Sequence, residues 1–194
     1  MAEDGQNPDY PIANQLDVGV NRVEDRVVVI ASTKGHGRRA VLLTRRLMKS
    51  LLVKYAQFLE QTSEPASQAA ASHKVEVLQM EYISALSQID RGSGGDQDPG
   101  RQQTTNAPDA VCLGTEVHFQ QRDGQILLAF DGVLRNVGGA DGIAKEPVVG
   151  FLLDRAIAHR VLAMLKEKAD EAGWDLPKPS GWTDKLEQAQ GALN

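Results

Sequence analysis

The sequence predicts an α+β fold: a duplicated strand-strand-strand-helix unit that forms an antiparallel sheet of about six strands with helices packed against it. Three observations predict this. A polar stretch, Arg91 to Pro108, divides the 194 residues into halves of similar length. Apolar runs of the first half, at Val18, Val20 and Val27 to Ala31, return 99 positions later as Val117, Phe119 and Ile126 to Phe130. The run Val41 to Arg45 returns as Phe151 to Arg155, displaced by 110, with the extra 11 residues falling around Gly138, Gly139 and Gly142, where a longer loop is tolerated.

Residues 1–15 hold prolines, acids and amides without an apolar period, and read as a flexible arm before ordered structure near Leu16. Two strands follow, turning at Glu24 and Asp25, and their counterparts turn at Asp123-Gly124, a pair that tolerates the positive φ of a primed hairpin turn. A third strand in each half runs into a helix. Thr44 and Asp154 are suited to cap those helices because their oxygens accept unpaired first-turn amides. Leu47, Leu51, Tyr55 and Phe58 have the spacing of a single helical face, as do Ile157, Val161, Met164 and Leu165 in the other copy. Gly173 and Pro177 end the second helix.

The organisation expected is therefore a first half over 16–90, including a connecting helix from Ala66 to Ile89, a flexible linker over 91–108, and a second half over 109–177. A tail over 178–194 follows, carrying a short helix near Leu186 and Leu193. Residues 16–177 are expected to make one domain. Trp174 and Trp182 are expected to pack the tail back on the sheet.

Composition narrows the function. Apolar residues are 41% and charged residues 24%, which excludes a disordered or fibrous chain. One cysteine, Cys112, excludes an internal disulfide framework and reads as a small core residue. Apolar runs of about five residues are too short to span a membrane, and Met1 to Asp9 is the reverse of a signal peptide. A reducing, cytoplasmic setting is expected, without membrane, cofactor or metal.

Charge is segregated. From Arg26 to Lys54 there are eight basic residues and no acid, while the rest of the chain holds 13 basic and 26 acidic residues. Such a segment attracts polyanions, and Lys34, Arg38, Arg39, Arg45, Arg46 and Lys49 are its candidate binding residues. Ser32 to Arg39 resembles a deviant phosphate-binding loop at a glance. Arg38, Arg39 and Ala40 stand where a lysine and a hydroxyl residue are required, so the glycines predict a hairpin turn instead.

No histidine pair has metal-ligand spacing, and no paired carboxylates emerge. His159 is expected to face solvent, His118 to point away from Val117 and Phe119, and His36 to stand on an exposed turn. Strands Val27 to Ala31 and Ile126 to Phe130 are apolar at consecutive positions, the pattern of strands covered on both faces. The leading expectation is a non-enzymatic interaction or assembly protein, a homo-oligomer or a protein that docks on a partner. Nucleic-acid or polyanion binding through residues 26–54 is the alternative, and an enzyme with a site near His36 the third.

Overall fold

The computed structural model describes residues 9–92, 107–134 and 144–183. Three strands, β1 (Ile12–Asn21), β2 (Arg26–Thr33) and β3 (Gly37–Leu43), lead into helix α1 (Arg45–Gln61). The short α2 (Glu64–Gln68) and the long α3 (Lys74–Gly92) precede β4 (Ala110–Arg122), β5 (Gln125–Leu134), β6 (Glu146–Leu153) and α4 (Arg155–Glu171).

The sheet is mixed and closed. β1, β2 and β3 pair antiparallel in sequence order, as do β4, β5 and β6, but β3 lies parallel to β4 and β6 parallel to β1, which completes a barrel. This corrects the expected antiparallel sheet. The pairings that make it parallel join segments far apart in sequence, so no hairpin signal announces them. Directions follow from the pairings: β1, β3, β4 and β6 run one way, and β2 and β5 the other. Helices α1 and α4 therefore both leave from one end of the barrel, and the β2–β3 turn lies at the other.

Local chemistry fixes the corners. Asp123 and Gly124 take φ of 50° and 77°, the primed turn their sequence predicts. Thr44 Oγ1 accepts the Leu47 amide at 3.1 Å, and Asp154 Oδ1 accepts the Ile157 amide at 2.7 Å, so both predicted N-caps form. Gly173, at φ 71°, ends α4 in the left-handed conformation. A hairpin turn over Lys34 to His36 follows β2, and Arg38 belongs to β3, so no helix follows the glycines as a phosphate loop requires.

One core joins both halves. Val27, Val29, Ala31, Val41 and Leu43 meet Cys112, Leu128, Phe130 and Phe151 and the buried faces of α1 and α4. Phe119 stacks on Tyr55 and Phe58 of α1.

Several boundaries differ from expectation. β1 begins at Ile12, and Tyr10 is buried although both fall in the expected arm. Tyr10 lies against β6 because Gly150 leaves room: a Cβ there would sit 3.0 Å from the Tyr10 Cβ. The connecting helix is divided, since Ser63 caps a short helix with Pro65 in its first turn before α3 starts at Lys74. His159, expected in solvent, is buried beside the rings of Tyr82 and Trp182. The linker from 93 to 106, the Gly138, Gly139 and Gly142 stretch and the helix near Leu186 and Leu193 lie outside the described residues.

Between the helices, Arg155 organises a polar hub. Its Nη2 donates to Glu81 Oε2 at 2.8 Å and to the Leu59 carbonyl at 2.7 Å, while Ser63 Oγ donates to Glu81 Oε1 at 3.0 Å. His159 Nε2 stands 3.6 Å from the same carboxylate. Burial works to raise the Glu81 carboxyl, but His159, Arg155 and Ser63 outweigh it and bring it down to about 2. No described helix is long and apolar enough to cross a membrane.

Candidate functional site

A polar cluster stands on the outer wall of β4 and β5. The two-residue turn at Asp123-Gly124 sets the register of this hairpin, which places Glu116 directly opposite Asp131 and His118 opposite Ala129. Glu116 and His118 are two residues apart on β4, so they share a face of the strand. Val117 and Phe119 take the other face, against the core, as expected for His118.

Three ligand-type groups converge there: the nitrogen of His118 and one oxygen each of Glu116 and Asp131 lie within 4.8 Å of one another. His118 Nε2 is 3.0 Å from Asp131 Oδ2 and 3.7 Å from Glu116 Oε2. The Lys145 ammonium, from the start of the segment leading into β6, donates to Glu116 Oε2 and lies 3.2 Å from Asp131 Oδ2. Tyr10 donates its hydroxyl to the other Asp131 oxygen, Oδ1, at 2.8 Å.

The electrostatics follow from burial and charge. Asp131 is buried, which opposes its ionisation, yet the hydrogen bonds from Tyr10, His118 and Lys145 prevail and hold its carboxyl below the usual carboxylate range. Burial and the adjacent Asp131 push the Tyr10 phenol up, so the hydroxyl stays protonated and donates. The Glu116 carboxylate, with Asp131 beside it, raises Lys145 and keeps its amine charged. Asp131 can thus orient His118 through one oxygen while Tyr10 fixes the other.

None of these five residues was singled out as a site from sequence. Paired carboxylates do occur, as Glu116 and Asp131, and a histidine joins them, contrary to the reading that no such pair emerges. Glu116 and His118 carry the signal of an i, i+2 pair on one strand, and counting seven residues out from each side of the Asp123-Gly124 turn pairs Glu116 with Asp131. Lys145 and Tyr10 arrive through contacts distant in sequence.

The six basic residues do not form one ridge. Lys34, Arg38 and Arg39 lie at one end of β3, while Arg45, Arg46 and Lys49 are exposed on α1 beyond its other end. Arg38 and Arg45 are seven positions apart along extended chain, roughly 20 Å. Arg38 is held by its backbone amide, which donates to Asp109 Oδ2 at 2.7 Å. Arg39 is half-buried, and its Nη1 donates at 2.8 Å to the carbonyl of Val148, the extra residue of a bulge between β6 and β5. His36 is exposed on its turn and makes no hydrogen bond or ion pair among the described residues. Comparison of the chain with protein families, with curated proteins and with solved structures finds no match.

Proposed function

We propose that this chain is a non-enzymatic interaction or assembly protein that self-associates or docks on a protein partner through the outer wall of β2, β3 and β4. One observation carries this reading. Val28, Leu42 and Leu113 form a cross-strand row on that wall, and Ile30, Ala40 and Val111 form a second row beside it. None of the six belongs to a described core cluster; Leu113 is 38% exposed and Val28, Ile30 and Val111 are partly exposed, whereas Ala40 and Leu42 are buried. A contiguous apolar wall of this kind is a surface suited to another protein.

The opposite wall supports the reading by contrast. There Leu127 pairs with Leu152, and Ala129 with Gly150, and Tyr10 closes over Leu127, Ala129 and Leu152. We infer that the two walls are copies, as the repeat in the sequence suggests. Displacements of 99 and 110 carry the Val28–Leu42 pair onto Leu127–Leu152, and the Ala40–Val111 pair onto Gly150–Ile12 with the roles of the halves exchanged. The counterpart of Tyr10 under this rule is Asp109, which turns to the Arg38 amide instead of covering its wall.

Light scattering over a concentration series, with affinity purification from the native host, tests the proposal. The wild type is expected to exceed monomer mass or to carry a partner, and a Val28→Lys/Leu113→Lys variant with an unchanged circular dichroism spectrum to lose that association. A strict monomer without a co-purifying partner overturns it.

A second reading, polyanion binding, draws support from α1. Arg45, Arg46 and Lys49 are exposed near a helix N-terminus with no acid in its first turn, and none forms an ion pair among the described residues. It predicts a retarded DNA or RNA band that is lost at moderate salt and in an Arg45→Glu/Arg46→Glu variant. Absence of binding at low salt removes it.

A further inference from the structure

We propose that Glu116, His118 and Asp131 form a binding site for a divalent cation of the zinc class, and that Lys145 is a tethered cation which the metal displaces. The donor set is one imidazole and two carboxylates. Imidazole suits zinc and its first-row neighbours, whereas magnesium and calcium are held by oxygen alone.

The spacing fits such an ion. With metal–ligand distances of about 2.0 Å, a tetrahedral zinc site separates its ligand atoms by roughly 3.3 Å. His118 Nε2 lies 3.0 Å from the Asp131 oxygen and 3.7 Å from the Glu116 oxygen, on either side of that value. The Glu116–Asp131 edge is bounded at 4.8 Å, and rotation of the exposed Glu116 and His118 side chains, which no core packing holds, brings the three ligand atoms to the tetrahedral separation. Asp131 needs no shift in orientation, because Tyr10 binds Oδ1 at 2.8 Å and leaves Oδ2 turned toward the other two ligands. A hydroxyl on the outer oxygen of a ligating carboxylate is the kind of support metal sites carry.

Lys145 marks the place and the charge of the ion. Its ammonium is bonded to the same two carboxylate oxygens that would ligate the metal. Two carboxylates and one ammonium leave the cluster with one negative charge. A divalent ion that expels the ammonium to solvent neutralises the pair completely. The lysine side chain is 40% exposed and free to leave by rotation alone. Three protein ligands leave a fourth position open to water.

Isothermal titration of the full chain with Zn²⁺, repeated with Co²⁺ to read its visible absorption bands, tests the site. Lys145→Met removes the internal competitor and is expected to tighten Zn²⁺ binding at least tenfold over wild type. His118→Gln is expected to weaken binding at least tenfold and to abolish the Co²⁺ bands, and Asp131→Asn to abolish binding. Should Asp131→Asn fail to fold, the other two variants decide. Failure of Lys145→Met to bind Zn²⁺ overturns the proposal, as does an affinity that His118→Gln leaves unchanged or that Lys145→Met leaves at the wild-type value.

Discussion

The Trp174 indole N–H donates to Asp25 Oδ1 at 2.5 Å, joining the segment after α4 to the β1–β2 turn across 149 residues. Asp25 holds a left-handed φ of 49°, and Trp174 is 2% exposed. Asp25→Gly keeps the backbone conformation and removes the acceptor, leaving a buried N–H unpaired, and should cost about 1–3 kcal/mol. Asp25→Asn keeps both the acceptor and tolerance of the left-handed region, and should stay within about 0.5 kcal/mol of wild type. Urea midpoints of the two variants check this, and a glycine variant as stable as wild type would show that the contact contributes nothing.

Glu81 makes stability depend on acid. Its carboxyl lies at about 2 in the folded chain against an ordinary 4.5, so its contribution is complete above pH 4.5 and is lost as the pH falls toward 2. A shift of that size corresponds to about 3 kcal/mol. Glu81→Gln should therefore be less stable than wild type by about 3 kcal/mol at pH 7, and the gap should close between pH 4.5 and 2. A gap that persists at pH 2 would assign the effect to packing instead of charge.

Much of this fold can be read from neighbouring residues. The turn at Asp123-Gly124, the caps Thr44 and Asp154 and the stop at Gly173 are each decided within a few residues, and each forms as its sequence indicates. β5 is covered on both faces, as its consecutive apolar residues predict, with Tyr10 supplying the outer cover. Closure is different in kind. The Ile12–Gly150 and Ala40–Val111 pairings join segments 138 and 71 residues apart, and their parallel sense has no turn to encode it. The metal-type cluster sits between these cases: its Glu116–Asp131 pairing follows from the turn and Lys145 arrives with the β5–β6 pairing, but Tyr10 reaches it only once the barrel closes.

Gly132 and Gly19 should respond oppositely to alanine. A Cβ on Gly132 would meet the Leu113 carbonyl oxygen at 2.8 Å, a backbone atom that cannot move aside, whereas nothing lies within 4 Å of a Cβ on Gly19. Gly132→Ala should cost about 1–3 kcal/mol. Gly19→Ala should be neutral or gain about 0.5 kcal/mol by restricting the unfolded chain. Thermal melts of both variants separate these outcomes, and equal melting temperatures would contradict the packing described at Gly132.

Cys112 should be inert in the native state. It is 1% exposed, and burial raises its thiol above the ordinary value, so little reactive thiolate reaches solvent. A chromogenic disulfide reagent is expected to label it only as fast as the barrel opens, and at once in denaturant. Immediate labelling of the folded chain would contradict its place in the core.

The two seams of the ring are unequal. β3 meets β4 along four paired residues, from Arg39 with Ala110 to Leu42 with Leu113, while β1 meets β6 along two, Ile12 with Gly150 and Ala13 with Phe151. The Gly150 amide donating to the Pro11 carbonyl at 3.0 Å adds one more link to the shorter seam. Loss of that short clasp leaves every hairpin intact and turns the ring into a six-strand ribbon with two raw margins, each able to template onto another chain. Deuterium uptake that reaches the Gly150 amide before those of β2 would be the trace of it, and trimming the residues before Ala13 would convert a self-contained ring into one prone to swapping strands between molecules.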